Sequence, residues 1–316
     1  MERIGAFCSQ QNSYIVPHHY HLRFREFPSK LFLYDIIVQQ KCYEQGRMKR
    51  MSFRFWPWRR QTFPRKLPLN RVDSFMIDYG PPDKGLYRAL SSFDLVIVEA
   101  NHHAPEALQG LKENGTIVIG YLSVMESPRW NRDRWNLLLP EDFMKVGGQS
   151  QYLEQWDAFI MDIRQPHFRS VLLNEAAELI HGKHCDGIFL DTVDDIDTFA
   201  FNAGLYDELV VSFGHWMAQC KEALPSSILI QNRGFGSISK SAPFLDGFLW
   251  EDWSGEWKSN PWMRKQMKKI QSLIDHGITV FTVSESALSQ HRSEAENAGF
   301  VHLTRSESYH IRDWMK

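Results

Sequence analysis

From residue 71 onward the sequence alternates short apolar runs with amphipathic stretches, and it does so eight times. The runs fall at 75–79, 95–99, 116–122, 187–191, 228–232, 247–251, 279–283 and 299–303. They are β-branched or aromatic and continuously apolar, the pattern of strands buried on both faces of a parallel sheet. Between them, residues 105–114, 169–183, 206–224 and 262–276 carry helical periodicity, with Gly115, Gly182, Gly277 and Gly299 at or near helix C-termini. Eight such units in residues 71–316 predict a (β/α)8 TIM barrel, which takes roughly 250 residues. A doubly wound sheet is the alternative, but it usually carries a glycine-rich phosphate loop after its first strand. Here that strand ends Asp78-Tyr79-Gly80-Pro81-Pro82. The longest connection, about 123–186, holds Trp130, Trp135, Trp156 and a candidate extra strand at 158–163. A long loop at a barrel's active face usually serves function.

The first seventy residues differ from this body. They carry 13 Lys and Arg against 4 Asp and Glu, whereas residues 71–316 carry 23 against 34. A basic N-terminal extension over 1–70 is expected, poorly ordered, with Met48 or Met51 as alternative starts. Its cluster His18, His19 and His21 reads as adventitious rather than functional metal binding. Arg59-Arg60 lacks the apolar run of an export signal, so localisation stays open: cytoplasmic for the chain as written, or outside the cytoplasm if its start is misassigned. No apolar run reaches the roughly 18 residues of a membrane span. The acidic body argues against nucleic acid as partner. Four cysteines without a Cys-x-x-Cys pair exclude a disulfide framework and a zinc finger. Oligomeric state leaves no mark on the sequence.

Acidic residues stand at the C-terminal ends of successive predicted strands: Asp78, Glu99, Glu126, Asp191 with Asp194 and Asp195, Glu251 with Asp252, and Glu285. In a (β/α)8 barrel these ends converge on one mouth. A carboxylate ring there is costly through repulsion and calls for a bound cation or acid/base chemistry. Glycoside hydrolysis needs one protonated and one ionised carboxyl. Trp250 and Trp253 flank Glu251 and are candidates to stack on sugar rings. Asp194, Asp195 and Asp197 read equally well as caps, and Trp257 and Trp262 as helix packing. Tyr79 and Asn232 are placed to hydrogen-bond a sugar or to tie down a loop. Cys185 reads as a small buried hydrophobe, and His102 and His103 as loop histidines.

Four segments in order carry a family resemblance. Cys185-Asp186-Gly187-Ile188-Phe189-Leu190-Asp191-Thr192-Val193-Asp194-Asp195 resembles a motif of glycoside hydrolase family 114, the endo-α-1,4-polygalactosaminidases and the hydrolase domain of Pel polysaccharide enzymes. The segments 115–126, ending Tyr121-Leu122-Ser123-Val124-Met125-Glu126, 159–166, and Asp246-Gly247-Phe248-Leu249-Trp250-Glu251 resemble others. The resemblance spans about 72–305. It implies a barrel that hydrolyses α-1,4-linked galactosamine-containing polymer without metal or cofactor. It makes Asp191 and Glu251 the catalytic pair, with Glu251 as acid/base and Asp191 as nucleophile. It places Asp78, Tyr79, Glu99, Glu126, Arg164, Asp194, Asn232, Trp250 and Trp253 on or near the substrate. Met125 replaces the family's glycine, and Glu99 stands where relatives often have Asp. Two further readings stay open: a carbohydrate-binding barrel without turnover, and a metal-dependent hydrolase using Asp78, His102 or His103, and Asp191.

Overall fold

The computed structural model describes residues 69–285, 289–305 and 309. The basic extension, its histidine cluster and the alternative starts lie outside the described residues, apart from Leu69 and Asn70. The strands are β1 (Phe75–Asp78), β2 (Leu95–Val98), β3 (Ile117–Ser123), β4 (Gly187–Asp191), β5 (Ile228–Asn232), β6 (Gly247–Trp250), β7 (Thr279–Ser284) and β8 (Val301–Thr304). They form one parallel eight-stranded sheet in chain order. β1 and β8 come back side by side, so the sheet curls into a nearly closed TIM barrel. Helices α1 (Leu86–Leu90), α2 (Pro105–Glu113), α3 (Pro166–Ala177), α4 (Ala203–Ala223), α5 (Pro261–Asp275) and α6 (Ser289–Asn297) lie between strands. Every residue of β1, β2, β5 and β6 is buried, which is why those runs are apolar without alternation.

Two expectations shift. The last strand begins at Val301 rather than 299 because Gly299, at φ +78°, and Phe300 still close the end of α6. The extra strand expected at 158–163 is present but shorter, and it lies outside the barrel sheet. Ala158–Ile160 pairs antiparallel with Glu126–Pro128 and Tyr152–Leu153 in a small sheet inside the β3–β4 connection. A hairpin, Lys145–Val146 with Gln149–Ser150, turns there through Gly147 and Gly148, both left-handed, a backbone that favours glycine.

The N-terminal end of the barrel is held by a repeated device. Asp94, Asp186 and Asp246 each precede an even-numbered strand. Asp94 accepts the backbone N–H groups of Asp73 and Ser74 at 3.0 and 2.9 Å. Asp186 accepts Val118 N–H at 3.0 Å, and Asp246 accepts Leu229 N–H at 3.1 Å. Each carboxylate thus satisfies a donor at the start of the strand next door. Asp186 also pairs with Lys112 at 3.0 Å, and Asp246 with the buried Lys221 at 2.9 Å. Glycine follows both because space is short: a Cβ on Gly187 would overlap the Ile228 backbone oxygen and Cβ. The Asp-Gly of the sequence motif is therefore scaffold, and its chemistry starts at the strand's other end. Gly187→Ala is expected to destabilise the fold by about 1–3 kcal/mol through overpacking against backbone. Urea unfolding measures this, and an unchanged midpoint would show that the strand can move aside.

Candidate active site

At the other end, β4, β5 and β6 finish in Asp191, Asn232 and just before Glu251, side by side in the sheet. Asn232 Nδ2 donates to Asp191 Oδ1 and to Glu251 Oε2, each at 2.8 Å. One amide thus uses both hydrogens to hold both carboxylates. The two carboxylates therefore lie within reach of one amide nitrogen. Asp191 also accepts the Tyr121 hydroxyl and the Thr192 N–H. Glu251 Oε1 accepts the Tyr309 hydroxyl. Tyr309 arrives from beyond β8, and its carbonyl accepts Tyr79 N–H at 2.9 Å, fastening the end of β1. The rings of Tyr121 and Tyr309 pack on Tyr79 at 4.9 and 5.4 Å.

The residue after each of these three is left-handed without being glycine: Thr192 at φ +62°, Arg233 at +49° and Asp252 at +59°. Each costs of order 1–2 kcal/mol, and such strain gathers at functional sites when the surroundings enforce it. Here they do. Thr192 Oγ1 accepts Met125 N–H at 2.9 Å and bonds Ser123 Oγ at 3.1 Å. Arg233 spans from Asp194, at 3.2 Å, to Asp252, at 3.1 Å. Met125 itself is buried and has no left-handed backbone, so the connection does not need the family's glycine.

Electrostatics follow from crowding. Burial, then the charge of Glu251, pushes the Asp191 carboxyl up to about 6, against the donors that favour its ionised form. Glu126 and Asp195 both sit well above the usual carboxylate range: burial leads in each, Asp191 and Asp194 add to it at Glu126, where the bond to Asp195 opposes, and Glu126 and Asp194 add to it at Asp195. Burial also raises Asp194, with Arg233 opposing.

The other expected site residues divide. Asp78 is buried at the end of β1 and accepts Gly80 N–H at 3.2 Å. Glu99 caps the turn after β2 through Asn101 N–H at 3.2 Å and faces a cleft beside Tyr121. Arg164 forks onto Asp162, with two bonds at 2.8 Å, and reaches Glu208 on α4, so it braces the end of the connection. Trp250 and Trp253 are only 2% and 1% exposed. Trp250 packs on Phe235 and Trp262, and Trp253 on Phe300, so neither ring offers a face to a sugar here. Strand alternation explains it: with Glu251 turned to the mouth, Trp250 points to the helices. His103 is buried against Tyr87 at 3.1 Å, and Cys185 is buried beneath the sheet's helix layer beside Leu179. Sequence reasoning passed over Tyr121, Thr192, Arg233 and Tyr309. The adjacency of Thr192 and Arg233 to expected site residues was the available signal.

Because Asp195 is held up to about 8, the folded state binds a proton that the unfolded chain releases at lower pH. The stability contributed by this group is therefore fully present below the ordinary carboxylate range and is lost as pH rises toward 8. Asp195→Asn is expected to raise the thermal midpoint more at pH 8 than at pH 5. An equal offset at both pH values would show that the pair carries no net repulsion.

A family model for glycoside-hydrolase family GH114 matches residues 59–310. No curated protein matches the chain. Among solved structures, the glycoside hydrolase domain of PelA from Pseudomonas aeruginosa superimposes with a TM-score of 0.60 at 22% identity, over 75% of this chain and 96% of that one. Ega3 of Aspergillus fumigatus, solved in complex with galactosamine, gives 0.60 at 15% identity over 78% and 96%. The α-galactosidase TtGalA of Thermus thermophilus gives 0.53 at 11% over 77% and 60%. At these identities the likeness establishes the barrel. The family match runs through all eight strands and both bridged carboxylates, so this chain is a glycosidase belonging to glycoside-hydrolase family GH114.

Proposed function

We propose that the protein hydrolyses an α-1,4-linked, galactosamine-containing polysaccharide with Asp191 and Glu251 and no metal. The observation that carries this reading is the single Asn232 amide that donates to both carboxylates. Asp191 is the nucleophile: its three donors oppose the rise that burial and Glu251 impose and hold its carboxylate in place. Its carboxylate attacks the anomeric carbon while the Glu251 carboxyl gives its proton to the leaving glycosidic oxygen. The glycosyl ester on Asp191 is then hydrolysed by a water whose proton returns to Glu251, with net retention. The acidic mouth suits an amino sugar, whose ammonium offsets carboxylate charge. Ega3, the fold relative solved with galactosamine, supports that substrate class. Among the described residues, no group of three or more His, Cys, Asp or Glu is arranged to hold a metal. A binding barrel without turnover is the weaker reading, because both carboxylates are present and jointly held.

The test is reducing-end release from partially deacetylated α-1,4-galactosaminogalactan by the full chain. Wild type is expected to release ends with or without chelator, and Glu251→Gln and Asp191→Asn to lose at least about a thousandfold in kcat. Binding without release would leave a binding protein, and loss on chelation would bring a metal into the mechanism. Asn232→Ala is expected to lower kcat about 10- to 100-fold. It also removes a donor that favours ionised Asp191, so the acid limb of the kcat/KM profile moves to higher pH. An unmoved limb would show that Asn232 does not set the Asp191 charge.

A further inference from the structure

The eight-stranded sheet ends in β1 on one side and β8 on the other, and the chain leaving β8 returns to this seam. Arg305 N–H donates to Ser284 O at 2.9 Å, carrying the β7–β8 pairing one residue past β8. Further on, the Tyr309 carbonyl accepts Tyr79 N–H at 2.9 Å, one residue past the end of β1. The Tyr309 ring has two supports. Tyr79 packs against it at 5.4 Å, and the Arg305 guanidinium lies over it at 4.6 Å. Arg305 is itself paired with Glu285, just past β7.

This placement brings the Tyr309 hydroxyl to Glu251 Oε1, while Asn232 Nδ2 holds the other oxygen, Oε2, at 2.8 Å. Each oxygen of Glu251 thus has its own donor, one from β5 and one from beyond β8, and the two together fix the plane of the carboxyl group. Burial, then the charge of Glu251, pushes the Tyr309 hydroxyl far above its ordinary value, so it stays a donor. Asp191, Asp194 and Asp252 all feel the charge of Glu251. The charge that appears when Glu251 gives up a proton is therefore opposed by three neighbouring carboxyls, and a hydroxyl already aimed at Oε1 offsets that opposition without reorganising.

We propose that Tyr309 is the positioning residue of the acid/base: its hydroxyl orients the Glu251 carboxyl and stabilises the charge that grows on it as its proton passes to the glycosidic oxygen. Tyr309 keeps its own proton throughout. The inference rests on the reading of Glu251 as acid/base, and Tyr309 lies beyond the segments that carry the family resemblance. The bond contributes most when the leaving group is a sugar hydroxyl that must be protonated, and least when it departs without a proton.

The test compares kcat/KM of the full chain on partially deacetylated α-1,4-galactosaminogalactan and on a dinitrophenyl glycoside of an α-1,4-galactosamine oligosaccharide. Tyr309→Phe keeps the ring and the carbonyl and removes only the hydroxyl. It is expected to lower kcat/KM about 10- to 100-fold on the polymer and less than about threefold on the dinitrophenyl glycoside. Glu251→Gln is expected to show the same split, with a larger loss on the polymer. Equal losses on both substrates for Tyr309→Phe, or none on the polymer, while Glu251→Gln still separates them, would overturn the positioning role alone. Equal losses for Glu251→Gln, or no release from either substrate by wild type, would overturn the acid/base reading and the inference with it.

Discussion

Like charges brought into one low-dielectric mouth repel, and the C-terminal end of this barrel is arranged around that repulsion. Asp191, Glu126, Asp195 and Asp194 are all pushed upward, burial being the leading cause in each case. Three different devices offset the charge. Asn232, Tyr121 and Tyr309 supply neutral donors to the bridged pair. Burial and neighbouring carboxylates favour the uncharged forms of Glu126 and Asp195. Arg233 brings a cation to Asp194 and Asp252. Among the described residues, the bridged pair is held by neutral donors rather than by a cation. A cationic ligand at this mouth would offset the same repulsion.

The two ends of the barrel use the same residue type for opposite purposes. At the N-terminal end Asp94, Asp186 and Asp246 are spread apart, each accepting backbone N–H groups of a neighbouring strand. At the C-terminal end carboxylates crowd and the backbone turns left-handed after Asp191, Asn232 and Glu251. β4 carries both ends within a few residues, with Asp186 locking its start and Asp191 at its finish. A strand that is buried and pinned at one end cannot drift at the other, and this rigidity keeps a shared hydrogen bond to Asn232 in place.

Much of this was legible in the chain. Continuous apolar runs ending in Asp191, Asn232 and before Glu251 marked the strands and the residues at their mouths, because a parallel strand buried on both faces leaves no other pattern. Trp250 was legible too, had alternation been followed one residue back from Glu251. Arg164 was not: it lies in an irregular segment whose side-chain direction depends on where Asp162 and Glu208 come to rest. Tyr309 reaches Glu251 across 58 sequence positions, and Arg233 links loops that follow two different strands.

By itself the sequence determined the barrel, its strand order and the acids at its mouth, since period and chain order alone specify which ends converge. Only the tertiary structure decided which acids share a donor, which are pushed toward their uncharged forms and which aromatic rings face solvent. Those outcomes depend on distances of a few ångströms between residues far apart in the chain, and Coulomb and hydrogen-bond energies change steeply over that range.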